Sequence, residues 1–120
     1  MEVPILKQGK VLIATIQAAL SDADLKNLRR GLVQQVVRFR SLGVIVDVTS
    51  MDVMDSFASR TLREIAHMIR LRGAETVIVG IQPEVALAMV QLGLTLEDVS
   101  TALDLEEGLE YLNKKFKRPD

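Results

Sequence analysis

The sequence predicts a single α/β domain over residues 1–120, with a mixed central β-sheet and about four helices. Three short apolar runs rich in β-branched residues alternate with longer amphipathic segments. Such runs are typical of strands that are covered on both faces. Parallel neighbouring strands need a crossover connection, which a helix supplies, so the alternation favours a largely parallel sheet. The length of 120 residues suits one domain.

The three buried strands are predicted at VLIATI (11–16), VIVDV (44–48) and TVIVGI (76–81). The segment PILKQ (4–8) lies only a few residues before the first of them. Because so short a connection joins antiparallel strands, we expect PILKQ to form a hairpin with the first buried strand.

Two longer helices are predicted between the buried strands. Ser21 or Asp22 can cap the first, and Gly43 is expected to end it in the left-handed conformation. Gly73 is expected to end the second helix. The inward positions, at helical spacing, are Leu25, Leu28, Leu32, Val36 and Phe39 in the first helix and Phe57, Thr61, Leu62, Ile65 and Ile69 in the second.

Two shorter helices complete the predicted fold. Pro83 suits the first position of one helix, which is expected to stop near Gly93. The other is predicted from Leu105 to about Lys115, with Asp104 and Glu107 at the spacing of a capping box.

The composition excludes several function classes. A net charge of −1 and a pI near 5.8 give no global electrostatic reason to bind nucleic acid or an anionic membrane. The absence of cysteine excludes a disulfide, a thiol nucleophile and a thiolate metal site. No apolar run approaches the ~20 residues that span a bilayer, and MEVPILKQGK is unlike a signal peptide. We therefore expect a cytoplasmic protein that binds neither membranes nor nucleic acid.

A polar junction follows the second buried strand, in the stretch DVTSMDVMDSFASRTLREIA (47–66). Ser56 should lie in the loop or the first helical turn at the carboxyl edge of the sheet, where α/β folds place ligand and partner sites. Alternatively, Asp55 or Ser56 only caps the helix by accepting a hydrogen bond from a backbone N–H. The two interpretations are compatible.

Catalytic interpretations of this junction are weaker. His67 is the only histidine and follows Ser56 by 11 residues of one helix, or about 16 Å, too far to activate its hydroxyl. No GxxxxGK phosphate loop is present. Asp47, Asp52 and Asp55 could hold Mg²⁺ as in a receiver domain, but the acidic pair expected after the first parallel strand is missing. We therefore predict a protein that is not an enzyme and has no metal or cofactor.

The motifs carry a family resemblance over nearly the whole chain. VIVDVTSMDVMDSF, a following helix and then VIVGIQPEVALAMVQLG resemble the STAS domain family. DVTSMDVMDSFASR, GIQPEVA and ALDLEEGLEYL together are similar to its stand-alone RsbS type, which comprises scaffold and antagonist proteins of the bacterial stressosome.

The resemblance implies a phosphorylated scaffold protein. It implies a large particle shared with co-antagonist STAS proteins, a serine/threonine switch kinase that is sequestered and then released on phosphorylation of Ser56, and a phosphatase that resets the site. Ser59, one helical turn beyond Ser56, is a second candidate acceptor, because its hydroxyl is expected to point to nearly the same face. The expected partner-binding residues are Asp52, Met54, Asp55, Phe57 and Arg60. The alternative function is a small free anti-sigma factor antagonist controlled through the same serine.

The expected switch is electrostatic. A phosphate on Ser56 would add about −1.5 to −2 charges, which backbone N–H groups at the helix N-terminus accommodate. Asp52 and Asp55 would repel it, and Arg60 would offset part of that repulsion. Met54 and Phe57 are expected to be exposed as the apolar centre of the partner contact, although Phe57 also fits the inward face of its helix.

Overall fold

A computed structural model of the protein describes residues 2–97 and 99–117. Within these ranges the chain alternates strands and helices. The elements, in chain order, are β1 (Ile5–Gln8), β2 (Val11–Thr15), α1 (Asp22–Phe39), β3 (Gly43–Asp47), α2 (Ser56–Leu71), β4 (Glu75–Val79), α3 (Pro83–Leu92), β5 (Ser100–Ala102) and α4 (Leu105–Phe116).

The strands form one mixed sheet in the order β1-β2-β3-β4-β5. β1 pairs with β2 antiparallel, and every later pairing is parallel. Val46 of β3 lies between Ala14 of β2 and Ile78 of β4. The predicted mixed sheet and the PILKQ hairpin are therefore confirmed. β5 was not predicted from the sequence, because it has only three residues and is half-exposed at the sheet edge.

Both faces of the sheet are covered, which explains the continuous apolar strands. Val44 and Val46 of β3 pack in a large core with the inward residues of α1 and α2. Ile45, between them in sequence, packs on the opposite face with Leu112 of α4. Because side chains alternate along a strand, a strand between two helical layers must be apolar at every position.

One helix end differs from the prediction. α1 ends at Arg40, which adopts the left-handed conformation with φ 49°. Gly43 is instead the first residue of β3 and pairs with Val11 of β2. A Cβ atom at Gly43 would lie 2.8 Å from Leu112 Cδ1 and 2.9 Å from Phe116 Cζ. The glycine is needed because α4 packs against the backbone there.

The other predicted helix ends are confirmed. Ser21 caps α1, because its Oγ accepts a hydrogen bond from the Asp24 N–H at 3.1 Å. Gly73 follows α2 with φ 87°, and Gly93 caps α3 with φ 69°. Asp104 caps α4 by accepting from a backbone N–H in its first turn. Among the described residues, no helix is both long and apolar enough to span a membrane.

Candidate functional site at the N-terminus of helix α2

Ser56 is the first residue of α2 and lies beyond the carboxyl end of β3, with an exposed side chain. Asp55 precedes it as the helix N-cap, and Asp55 Oδ1 accepts a hydrogen bond from the Ala58 N–H at 2.8 Å. The capping interpretation is therefore correct for Asp55, and it leaves the Ser56 hydroxyl available for chemistry. Neither the helix cap nor any side-chain hydrogen bond between described residues uses that hydroxyl.

Ser59 has a different environment from Ser56. Its side chain is only 1% exposed, and its Oγ donates to the Thr95 carbonyl oxygen at 3.4 Å. The expectation that the two hydroxyls share one surface is wrong. Three residues advance a helix by about 300°, so the Ser59 side chain points about 60° away from that of Ser56. This rotation places Ser59 beneath the segment that follows α3.

The loop between β3 and α2 is held by polar contacts. Asp47 Oδ1 accepts hydrogen bonds from the Thr49 N–H at 3.0 Å and from Thr49 Oγ1 at 2.6 Å. Gln82 Nε2 donates to the Thr49 carbonyl oxygen at 2.6 Å, which ties this loop to the one before α3. Gly80, with φ 81°, lies where a Cβ would overlap the side chain of Thr49. Asp47 therefore orders the loop.

The sequence analysis assigned no role to Thr49, Gly80 or Gln82. A signal for the last two was present in VIVGIQPEVA, where a glycine and an amide side chain directly follow β4. Because the carboxyl ends of adjacent parallel strands meet at one sheet edge, residues after β4 can reach the loop after β3.

The burial of Met54 differs from expectation, and its neighbour Val53 is exposed. Met54 is 4% exposed and belongs to the main core, so the prediction that it is exposed is wrong. Met51 is buried in the same core, so both methionines pack the loop against the core. Asp52 and Val53 lie between the two methionines in sequence and are both exposed, Val53 to 71%. Val53 is thus the exposed aliphatic side chain of this loop.

Phe57 is half-buried against the core, and two cations cover its ring. Arg60 Cζ lies 5.6 Å from the ring centroid. Lys26 Nζ, from the first turns of α1, lies 6.0 Å from the same centroid. Asp52 and Asp55 are exposed in the adjacent loop. The site therefore combines an accessible hydroxyl, two carboxylates and two cations. Arg60 was predicted at this site from the sequence, but Lys26 was not.

His67 lies too far from Ser56 to act as its base. His67 is exposed on the same helix, 11 residues further along, which corresponds to a rise of about 16 Å. Within residues 2–97 and 99–117, no group of three His, Cys, Asp or Glu side chains is arranged to hold a metal ion.

The family model for the STAS domain matches residues 2–108, so this chain belongs to the STAS domain family. It is 32% identical over 99 residues to the RsbT co-antagonist protein RsbRA of Bacillus subtilis, covering 82% of this chain and 35% of that protein. It is 27% identical over 92 residues to RsbRD of the same organism, covering 77% of this chain and 32% of that protein. The chain thus spans about a third of the length of these relatives.

Two of the similar solved structures match this chain over almost its full length. A serine-to-glutamate variant of Moorella thermoacetica RsbS is 30% identical, with a TM-score of 0.84, and the match covers 98% of this chain and 100% of that one. A chain from a structure titled as the molecular architecture of the stressosome is 28% identical, with a TM-score of 0.77 over 96% of this chain and 100% of that one. The anti-sigma factor antagonist SpoIIAA, at 11% identity and a TM-score of 0.69, shares the fold. Within the STAS family, this chain falls in the stressosome and anti-sigma factor antagonist group.

Proposed function

We propose that this chain is a non-enzymatic scaffold and antagonist of a stressosome in the bacterial cytoplasm. It sequesters a serine/threonine switch kinase and releases that kinase when Ser56 is phosphorylated. The kinase transfers the γ-phosphoryl group of ATP to Ser56 Oγ, ADP departs, and the hydroxyl proton passes to the base of the kinase. A phosphatase resets the site by hydrolysis.

The observation that carries this proposal is the separation of the cap from the acceptor. Asp55 caps α2, Ser56 is exposed beside it, and Ser59 is buried. A kinase needs an accessible hydroxyl, and of the two candidate serines only Ser56 offers one. We therefore assign Ser56 as the acceptor and drop Ser59 from that role.

The phosphate would act on a partner more than on the fold. It adds about −1.5 to −2 charges at a helix N-terminus, where free backbone N–H groups favour an anion. A partner docked over the site would have to desolvate this dianion, which is costly without a matching cation. The proposed contact residues are Asp52, Val53, Asp55, Phe57 and Arg60. Met54 supports this surface from the core and makes no direct contact.

The proposed partners follow from the similarities. The Bacillus subtilis relatives are named as co-antagonists of RsbT, and one similar solved chain comes from a stressosome structure. We propose that this chain assembles with copies of itself and with co-antagonists that carry STAS domains. The alternative, a small free anti-sigma factor antagonist, would form no large particle. Sedimentation with the co-antagonists separates the two, because only the scaffold yields a megadalton-class species.

The switch is tested by kinase pull-down before and after incubation with ATP, with phosphopeptide mass spectrometry of the same samples. The parent should be phosphorylated at Ser56 and lose the kinase. Ser56→Ala should keep the kinase with and without ATP, and Ser56→Asp should bind it weakly throughout. Ser59→Ala is the matched control and should be phosphorylated like the parent. If all four proteins retain the kinase equally in ATP, the proposed release is wrong; if Ser59→Ala alone blocks phosphorylation, the acceptor is wrong.

A further inference from the structure

We propose that Lys26 and Arg60 receive the phosphate of phosphorylated Ser56, and that they leave the ring of Phe57 to do so. This inference rests on the proposed function, because it takes Ser56 as the acceptor. It adds a second consequence of phosphorylation. Besides adding charge, the modification would uncover the aromatic face next to it.

Arg60 is positioned by helix geometry. It follows Ser56 by four residues in α2, so the two side chains leave the same face of the helix, with Cβ atoms about 5–6 Å apart. Its guanidinium now lies over Phe57, 5.6 Å from the ring centroid. A guanidinium pairs with phosphate through two parallel N–H donors. A rotation of this long side chain is enough to exchange the ring for the phosphate.

Lys26 reaches the same place from another element. It lies in α1, and α1 packs along α2. Its Nζ is 6.0 Å from the Phe57 centroid, so the ring is covered by cations from two helices. Neither Lys26 nor Arg60 forms an ion pair with a described residue. Both charges are therefore available to a new anion.

The exchange is favourable because the two interactions differ in strength. A cation over a half-buried aromatic ring such as Phe57 is held by the weak field of the ring quadrupole. A charge-assisted hydrogen bond to a phosphate dianion is stronger. Asp52 and Asp55 flank Ser56 and repel the phosphate, which increases its need for cations. Phosphorylation should thus move both cations toward residue 56.

The chain contains a matched control. Phe39, at the opposite end of the domain, is also covered by two cations, with Lys7 Nζ at 5.7 Å and Arg38 Cζ at 5.2 Å from its centroid. This ring also carries two cations, and the nearby Ser41 is buried rather than exposed. The Phe39 ring should keep its cations when Ser56 is phosphorylated.

The test uses the full chain with phosphoserine incorporated at position 56 during translation, so no kinase is needed. Phosphorus NMR measures the second pKa of the phosphoserine in the parent and in the Lys26→Gln, Arg60→Gln and Arg38→Gln variants. Removing Lys26 or Arg60 should raise this pKa by about 0.2–0.7 pH unit each, the range for an exposed ion pair. Arg38→Gln should leave it unchanged. Asp52, Asp55 and the helix N-terminus are the same in every variant, so the differences report the cations.

The departure of the two cations from the Phe57 ring is measured separately, by NMR of the protein with labelled phenylalanine. The Phe57 ring signals of the parent should differ between the serine and phosphoserine forms. The Lys26→Gln/Arg60→Gln double variant should show a smaller difference. The Phe39 ring signals should be the same in both forms. If the pKa is the same in the double variant and the parent, or if only one of the two cations affects it, the paired receptor is wrong. Because the phosphate is already in place, these results are independent of whether a kinase releases in the pull-down.

Discussion

Asp55→Ala should destabilise the domain more than Ser56→Ala, because the cap and the acceptor are different residues. Asp55 Oδ1 accepts the Ala58 N–H at 2.8 Å, and α2 has no acidic residue in its first turn to replace that charge. Loss of an N-cap costs about 0.5–2 kcal/mol, and loss of a favourable charge at a helix N-terminus costs a further 0.3–1 kcal/mol or so. We expect Asp55→Ala to lower the free energy of unfolding by about 1–3 kcal/mol.

This change can be measured by thermal or urea unfolding. An entropy of unfolding of roughly 2.1 cal/mol/K per residue means that 1 kcal/mol shifts the Tm of a chain this long by about 4 °C. Asp55→Ala should therefore lower the Tm by about 4–12 °C. Ser56→Ala should stay within about 2 °C of the parent, since the Ser56 hydroxyl has no partner to lose.

Two further variants complete this experiment. Asp52→Ala removes an exposed carboxylate from the same loop without removing a cap, and should behave like the parent. Asp55→Asn keeps a capping oxygen and should fall between the parent and Asp55→Ala. A Tm for Ser56→Ala below that of Asp55→Ala would refute the reasoning, because Ser56 would then be the cap and its hydroxyl would not be free.

Three other predictions test the fold that carries the site. Val46→Asp should give insoluble or unfolded protein, because Val46 is 0% exposed in the central strand and the charge would have no partner; a soluble, cooperatively melting variant would contradict the described sheet. Gly43→Ala should lower the free energy of unfolding in urea by about 1–3 kcal/mol, since its Cβ would lie 2.8 Å from Leu112 Cδ1; an unchanged midpoint would mean that α4 does not pack there. The hydrogen bond to Glu75 raises the pKa of Lys115 above its ordinary 10.5, so the stabilisation by this pair should be present below pH 10.5 or so and be lost as the pH rises through the folded-state pKa. The free energies of unfolding of the parent and of Lys115→Gln should therefore become more similar as the pH rises. A difference between them that grows with pH would contradict the prediction.

The sequence predicted those features that depend on local chemistry. Continuous β-branched runs indicated three strands buried on both faces, and Ser21, Pro83 and Asp104 correctly placed helix starts. The position of Ser56 also followed from order along the chain, because a residue between a parallel strand and its helix must lie at the carboxyl edge of the sheet. These inferences needed only neighbouring residues and general rules of α/β connection.

Only the tertiary structure decided which side chains are accessible. Met54 and Val53 are adjacent and both apolar, yet one is in the core and the other is exposed, because the path of the loop between β3 and α2 sets their directions. Ser59 is buried by a segment far along the chain, near Thr95. Lys26 approaches Phe57 because α1 packs on α2. Sequence periodicity describes one element at a time, and each of these facts depends on how separate elements are placed against each other in space.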